Sequence, residues 1–195
     1  MEFEVETTSR NVVKRLGLDY NFVLRAYKES GRVWDLYIGK ISLDESWRAF
    51  YSALGVSMSY ARFKDMRKEA FSNAPIDQEM TKIARKIKAQ GYFLGIITNN
   101  TKERMNAISK NYGFDGLFDY MITSEDVMAL KTDKKPFYEG LRRADVTANE
   151  VLFIDNSMSN CEAAKRIGIQ ALFFDHKQRN YHRLYGELMK IGVKI

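Results

Sequence analysis

The feature that most limits what this chain can fold into is a change of periodicity at Gly91. Before it, from about Thr8 to Gln90, apolar residues recur at helical spacing almost throughout, as in DYNFVLRAYKE, SLDESWRAFYSALG and IDQEMTKIARKIKAQG. Ser42 followed by Glu45 reads as a capping box, and Gly55 and Gly91 stand where helices should stop. After Gly91 come short apolar runs, FLGII and VLFI among them, that do not alternate with polar residues. Such runs suit strands covered by helices on both faces, which is the situation of a parallel sheet. Strands are predicted at 92–98, 120–123, 151–154 and 171–174, with helices near Lys102 to Asn111, Lys134 to Arg143 and Asn160 to Ile167. Right-handed crossovers then give a doubly wound α/β fold in three layers. Residues 8–90 are expected to form a mainly helical cap and its connection to the core, and 91–195 the α/β core.

Composition narrows the class further. At 195 residues the chain can bury one substantial core, and its single cysteine, Cys161, rules out an intrachain disulfide framework. Cys161 reads as a small packing residue at the start of a helix. No apolar run reaches the roughly 18 to 20 residues of a membrane span, and the N-terminus lacks the regions of a signal peptide, so a soluble cytoplasmic protein is expected. Lys and Arg number 31 against 25 Asp and Glu, a net charge of +6 that favours anionic partners without naming one. The basic and aromatic stretch from His176 to Lys194 has a composition suited to nucleic acid, yet its helical spacing more simply gives one wet and one packed face. Oligomeric state is not readable. His176 and His182 read as surface or partly packed residues, and Trp34, Tyr37, Trp47, Phe50 and Tyr51 as helix core.

Three strand endings carry the candidate chemistry. VLFIDNSMSN runs from an apolar strand into Asp155 and then into a helix, and the carboxyl end of a buried parallel strand is where α/β proteins place their sites. YFLGIITNN ends in Thr98 and Asn99, whose hydroxyl, amide and neighbouring backbone donors suit an oxyanion, although Asn100 or Thr101 capping the next helix explains the same turn. ALKTDKKPF offers Lys131, with Lys134 and Lys135 as competitors at a helix start. There is no Gly-x-Ser-x-Gly elbow, no Gly-rich phosphate loop and no Cys or His pair with zinc spacing.

In order and spacing these endings resemble the later motifs of the haloacid dehalogenase-like (HAD) superfamily of hydrolases. The resemblance implies a phosphatase-type reaction on a small phosphorylated molecule, with Thr98, Asn99 and Lys131 binding the phosphoryl group and Asp155 with Asn156 holding Mg2+. Many family members carry two successive acids where this chain has Asp155 and Asn156, so weak Mg2+ binding is expected. The family's nucleophilic Asp, at the end of a first strand, has no clear counterpart. Glu4 and Glu6 stand where two Asp are expected, but only three residues precede Glu4, and the alternation of Glu with apolar residues suits a half-exposed strand. Either an Asp-bearing strand precedes Met1, or the motif is lost and the protein is a catalytically inactive binding or regulatory relative.

Overall fold

The computed structural model describes residues 10, 12–72 and 75–194, so the Glu4 and Glu6 motif lies outside the described residues. The chain divides into two compact units. One comprises residues up to 75 with 99–114 and 123–129, and the other comprises 76–98, 115–122 and 130–195. Among the described residues no helix is long and apolar enough to cross a membrane.

The first unit is helical. Tyr20–Glu29 starts at Asp19, whose carboxylate accepts from Phe22 N at 2.8 Å. Leu43–Leu54 starts at the predicted capping box of Ser42 and Glu45 and stops at Gly55, whose φ of 59° is cheap only for glycine. Tyr60–Ser72, Val33–Tyr37 and Lys102–Tyr112 complete its main helices. Its core is aromatic: Tyr27, Tyr37, Trp47, Phe50 and Phe63 are all buried, with the Tyr27 and Phe50 ring centroids 5.1 Å apart and Phe50 and Phe63 5.7 Å apart. Trp34, expected with them, is exposed.

The second unit holds the strands, β1 (Gly95–Thr98), β2 (Tyr120–Thr123, whose last residue belongs to the first unit), β3 (Leu152–Asp155) and β4 (Gln170–Phe173). Among the described residues β1 pairs with β2, and β3 pairs in parallel with β4, placing Asp155 opposite Phe173. Successive side chains of β3 explain why its run is apolar without alternation. Phe153 packs in a cluster with Phe137, Cys161 and Ala171, while Leu152 and Ile154 pack in another with Ile83, Leu184 and Leu188. Full burial of one such aliphatic side chain stabilises by about 1.5–3 kcal/mol. Helices Lys135–Ala144 and Met158–Lys165 supply the first cluster, Gln78–Ala89 and Tyr181–Lys190 the second.

Two departures from the periodicity have local causes. Helix Gln78–Ala89, expected in the N-terminal block, falls in the strand-bearing unit because Met80, Ile83 and Ile87 pack against its sheet residues. Strand β1 begins at Gly95 rather than at Tyr92. Leu94 is clasped instead by Asp119, whose carboxylate accepts from Leu94 N at 2.7 Å and whose own N–H reaches Leu94 O at 2.7 Å. Gly95 itself is required by close approach, since a Cβ there would lie 2.1 Å from the Tyr120 ring.

Candidate functional site

Asp155 ends β3 with a buried carboxylate whose two oxygens are both engaged. Oδ1 accepts from Ser157 N at 2.8 Å and from Asn160 Nδ2 at 3.0 Å, and Oδ2 lies 2.5 Å from Lys131 Nζ. The strand-to-helix turn produces this: Ser157 is the N-cap of helix Met158–Lys165, and Asn160, in its first turn, points back at the strand end. Backbone donors left over where a helix begins are well placed for a carboxylate.

Lys131 sits in a turn. A helical turn, Ser124–Val127, stands between it and β2, so it does not follow directly on a strand as its spacing suggested. Arg166 Nη2 donates to Thr132 O at 3.2 Å, and Asp133 N closes on Leu130 O at 2.9 Å, which fixes the loop that presents the ammonium. The Lys131 side chain is 13% exposed and that of Asp155 5%, with the ammonium 5.9 Å from the Phe153 ring centroid. An ion pair this withdrawn is held by geometry rather than by its own net energy, because desolvating two charges offsets most of their attraction. Lys134 and Lys135 are exposed at the start of their helix, where they were expected.

Thr98 ends β1 and is half-buried. Ile97, just before it, and Phe153, two residues before Asp155, pack against the same cluster around Phe137. Among the described residues no hydrogen bond joins Thr98 to Lys131 or Asp155. The following helix is capped by Thr101, whose hydroxyl accepts from Arg104 N at 3.4 Å, and Asn100 Oδ1 accepts from Thr101 N at 3.1 Å. Asn99 is buried. Asn156 is exposed, with its Nδ2 3.2 Å from His176 Nδ1. Three participants were thus not anticipated: Ser157, Asn160 and His176. Asn160 stands five residues after Asp155, a spacing that acquires meaning only once the strand, turn and helix are in place.

The donor set described at the strand end does not fit Mg2+. Among the described residues there is no group of three or more His, Cys, Asp or Glu able to hold a metal ion. Asp155 is already matched by an ammonium and two N–H donors, and Asn156 adds a neutral amide, whereas Mg2+ wants oxygen ligands at about 2.0–2.1 Å with charge among them. Cys161 is a buried free thiol. Burial pushes its thiol pKa up, and the charge of Asp155 pushes the same way.

Comparison with known proteins decides the family. Residues 4–174 match the haloacid dehalogenase-like hydrolase family. The chain belongs to that family. A HAD relative, a sesquiterpene phosphatase of Aspergillus oryzae, is 30% identical over 69% of this chain and 67% of its own length. An (S)-2-haloacid dehalogenase of Pseudomonas putida is 25% identical over 51% of this chain, and the match spans 44% of that enzyme. A HAD family enzyme of Bacteroides thetaiotaomicron, solved as a magnesium complex, shares the fold with a TM-score of 0.67 at 17% identity, covering 86% of this chain and 91% of its own. The HAD hydrolases similar to this chain therefore include both phosphatases and haloacid dehalogenases.

Proposed function

We propose that this HAD hydrolase is of the phosphatase type and takes a small phosphorylated molecule. The observation that supports the reading is the Lys131 ammonium, fixed on the Asp155 carboxylate at the carboxyl end of β3 while its side chain keeps some access to solvent. A fixed cation at that place stabilises charge on a phosphoryl group without reorganising as the charge develops. Thr98 and Asn99 would add a hydroxyl and an amide. Hydrolysis by the family route needs a carboxylate that attacks phosphorus, releases the alcohol and is freed when water cleaves the acyl phosphate. No described residue is assigned that role.

The test is turnover of a panel of small phosphomonoesters by the protein. Under this reading a substrate is found, and Lys131→Ala and Asp155→Ala each lower kcat/KM about a hundredfold or more. Release of halide from 2-haloacids with every phosphomonoester inert would replace it. A second reading, a catalytically inactive binding relative, is favoured by the neutral Asn156 beside Asp155. It predicts phosphate binding without turnover of either class.

A further inference from the structure

We propose that the face formed by Tyr92, Phe93, Met189 and Ile191 lies on an anionic lipid surface, so that this chain binds membranes peripherally, without spanning them. The inference is independent of the chemistry at Asp155. All four side chains are exposed although they are large and apolar, Phe93 at 55%. Single exposed apolar residues need no explanation, but contiguous ones mark an interaction surface. Three contacts make these contiguous. The Tyr92 hydroxyl donates to Gly192 O at 3.5 Å, which joins the segment before β1 to the residue next to Ile191. Lys88 Nζ lies 6.0 Å from the Phe93 ring centroid. Lys86 Nζ lies 5.4 Å from the Tyr185 ring centroid, and Met189 follows Tyr185 by one helical turn.

Charge selects the occupant. Lys86, Lys88, Lys190 and Lys194 stand around the apolar residues, against Asp119 and Glu187. Lys88 pairs with Asp119 at 2.6 Å and Lys190 with Glu187 at 3.0 Å. Lys86 and Lys194 are exposed and, among the described residues, have no carboxylate at ion-pair distance, so the rim keeps an excess of positive charge. The whole chain carries +6, and a second copy would bring the same charge to the same rim. A nucleic acid would stack on Tyr92 and Phe93 but gain little from Met189 and Ile191. Acyl chains accept all four side chains, and anionic headgroups accept the lysines, while a tyrosine at that boundary keeps its hydroxyl among polar groups. Helix Tyr181–Lys190 begins beside Phe174, whose ring centroid is 5.3 Å from that of Tyr181, and ends next to Ile191. The face therefore stands a helix length, about 15 Å, from the strand ends that carry Asp155 and Phe173.

The experiment sediments the full chain with vesicles of phosphatidylcholine alone and of phosphatidylcholine mixed with phosphatidylserine. Binding should require phosphatidylserine and weaken as salt is raised. Phe93→Ser should lower the partition coefficient about tenfold, by removing apolar surface that the acyl chains cover. Lys86→Gln and Lys194→Gln should each lower it about fivefold. Circular dichroism verifies that each variant is folded. No sedimentation with either vesicle, or equal sedimentation with both, would overturn the proposal, as would folded variants that bind like the wild type. Dimerisation in velocity sedimentation that Phe93→Ser abolishes, without vesicle binding, would assign the face to a second copy instead. Capture of a single-stranded oligonucleotide that Phe93→Ser abolishes, again without vesicle binding, would assign it to nucleic acid.

Discussion

Arg67 in the helical unit and Lys131 in the strand-bearing unit are both cations withdrawn from water, accommodated in different ways. Arg67 is wholly buried, its guanidinium carbon 4.9 Å from the Tyr27 ring centroid, 5.3 Å from that of Trp47 and 5.5 Å from that of Phe50. Aromatic faces attract a weakly hydrated guanidinium and pack against its flat surfaces, so charge and volume are used together. Lys131 lies instead on the Asp155 carboxylate at a strand end, and its side chain keeps 13% of its exposure. A cation sealed among rings is committed to the core. One steadied by a carboxylate at a strand end is fixed in position and keeps some access to solvent.

The largest test of this contrast is Arg67→Ala, which removes the filler from between three rings and should cost about 4 kcal/mol in urea unfolding. Arg67→Met restores most of the volume without the charge and should recover part of that loss. Complete recovery would show that the rings need only a filler and would break the comparison. Lys131→Ala comes next, at about 2 kcal/mol, because Asp155 keeps two hydrogen bonds when its cation is gone. The same variant should weaken phosphate binding about tenfold or more in calorimetry. Arg67→Met should leave phosphate binding unchanged.

The sequence showed one of these cations far better than the other. Lys131 was legible because Asp155 ends a recognisable strand, turn and helix, and because the order of Thr98, Lys131 and Asp155 constrains where each falls. Periodicity also predicted β2 at 120–123 and the Ser42 and Glu45 box, since both depend on residues close in sequence. Arg67 was invisible as a core residue. It lies in a polar stretch, RFKDMRKE, and nothing in that spacing says that residues 20 and 40 positions upstream bring rings to it. Asn160, His176 and the allegiance of helix Gln78–Ala89 were hidden for the same reason: each depends on a tertiary contact.

A third case tests a carboxylate of the strand-bearing unit that is held by hydrogen bonds instead of by an ammonium. Asp77 caps helix Gln78–Ala89, accepting from Met80 N at 2.9 Å and from the Tyr181 hydroxyl at 2.5 Å. Burial pushes its pKa up, but these bonds and the charge of Arg179 outweigh it and hold the group below its ordinary value. The Tyr181 hydroxyl, part-buried against that carboxylate, is correspondingly pushed up to about 12. A depressed carboxylate contributes stability above its unfolded pKa of about 4, and that contribution is lost as pH falls through the lower folded value. Asp77→Ala should cost about 1 kcal/mol at neutral pH and flatten the acid limb of the stability profile. An acid limb as steep as wild type's would assign the pH dependence to other carboxylates.

The smallest expected effect is the control for the comparison. Arg15 Nη1 lies 2.7 Å from Glu69 Oε2, close to the 2.5 Å of the Lys131 and Asp155 pair, but the two side chains are 40% and 55% exposed. Water screens the pair, and ordering two long side chains offsets what attraction remains, so Arg15→Ala should leave stability close to that of the wild type. Raising the salt to about 1 M, where the screening length falls to about 3 Å, should remove what difference is left. The loss from Arg67→Ala should persist in the same salt, because packing against rings does not depend on mobile ions reaching it. Should Arg15→Ala prove as costly as Lys131→Ala, contact distance would govern the worth of these cations, and burial would no longer explain why Arg67 and Lys131 differ from the surface.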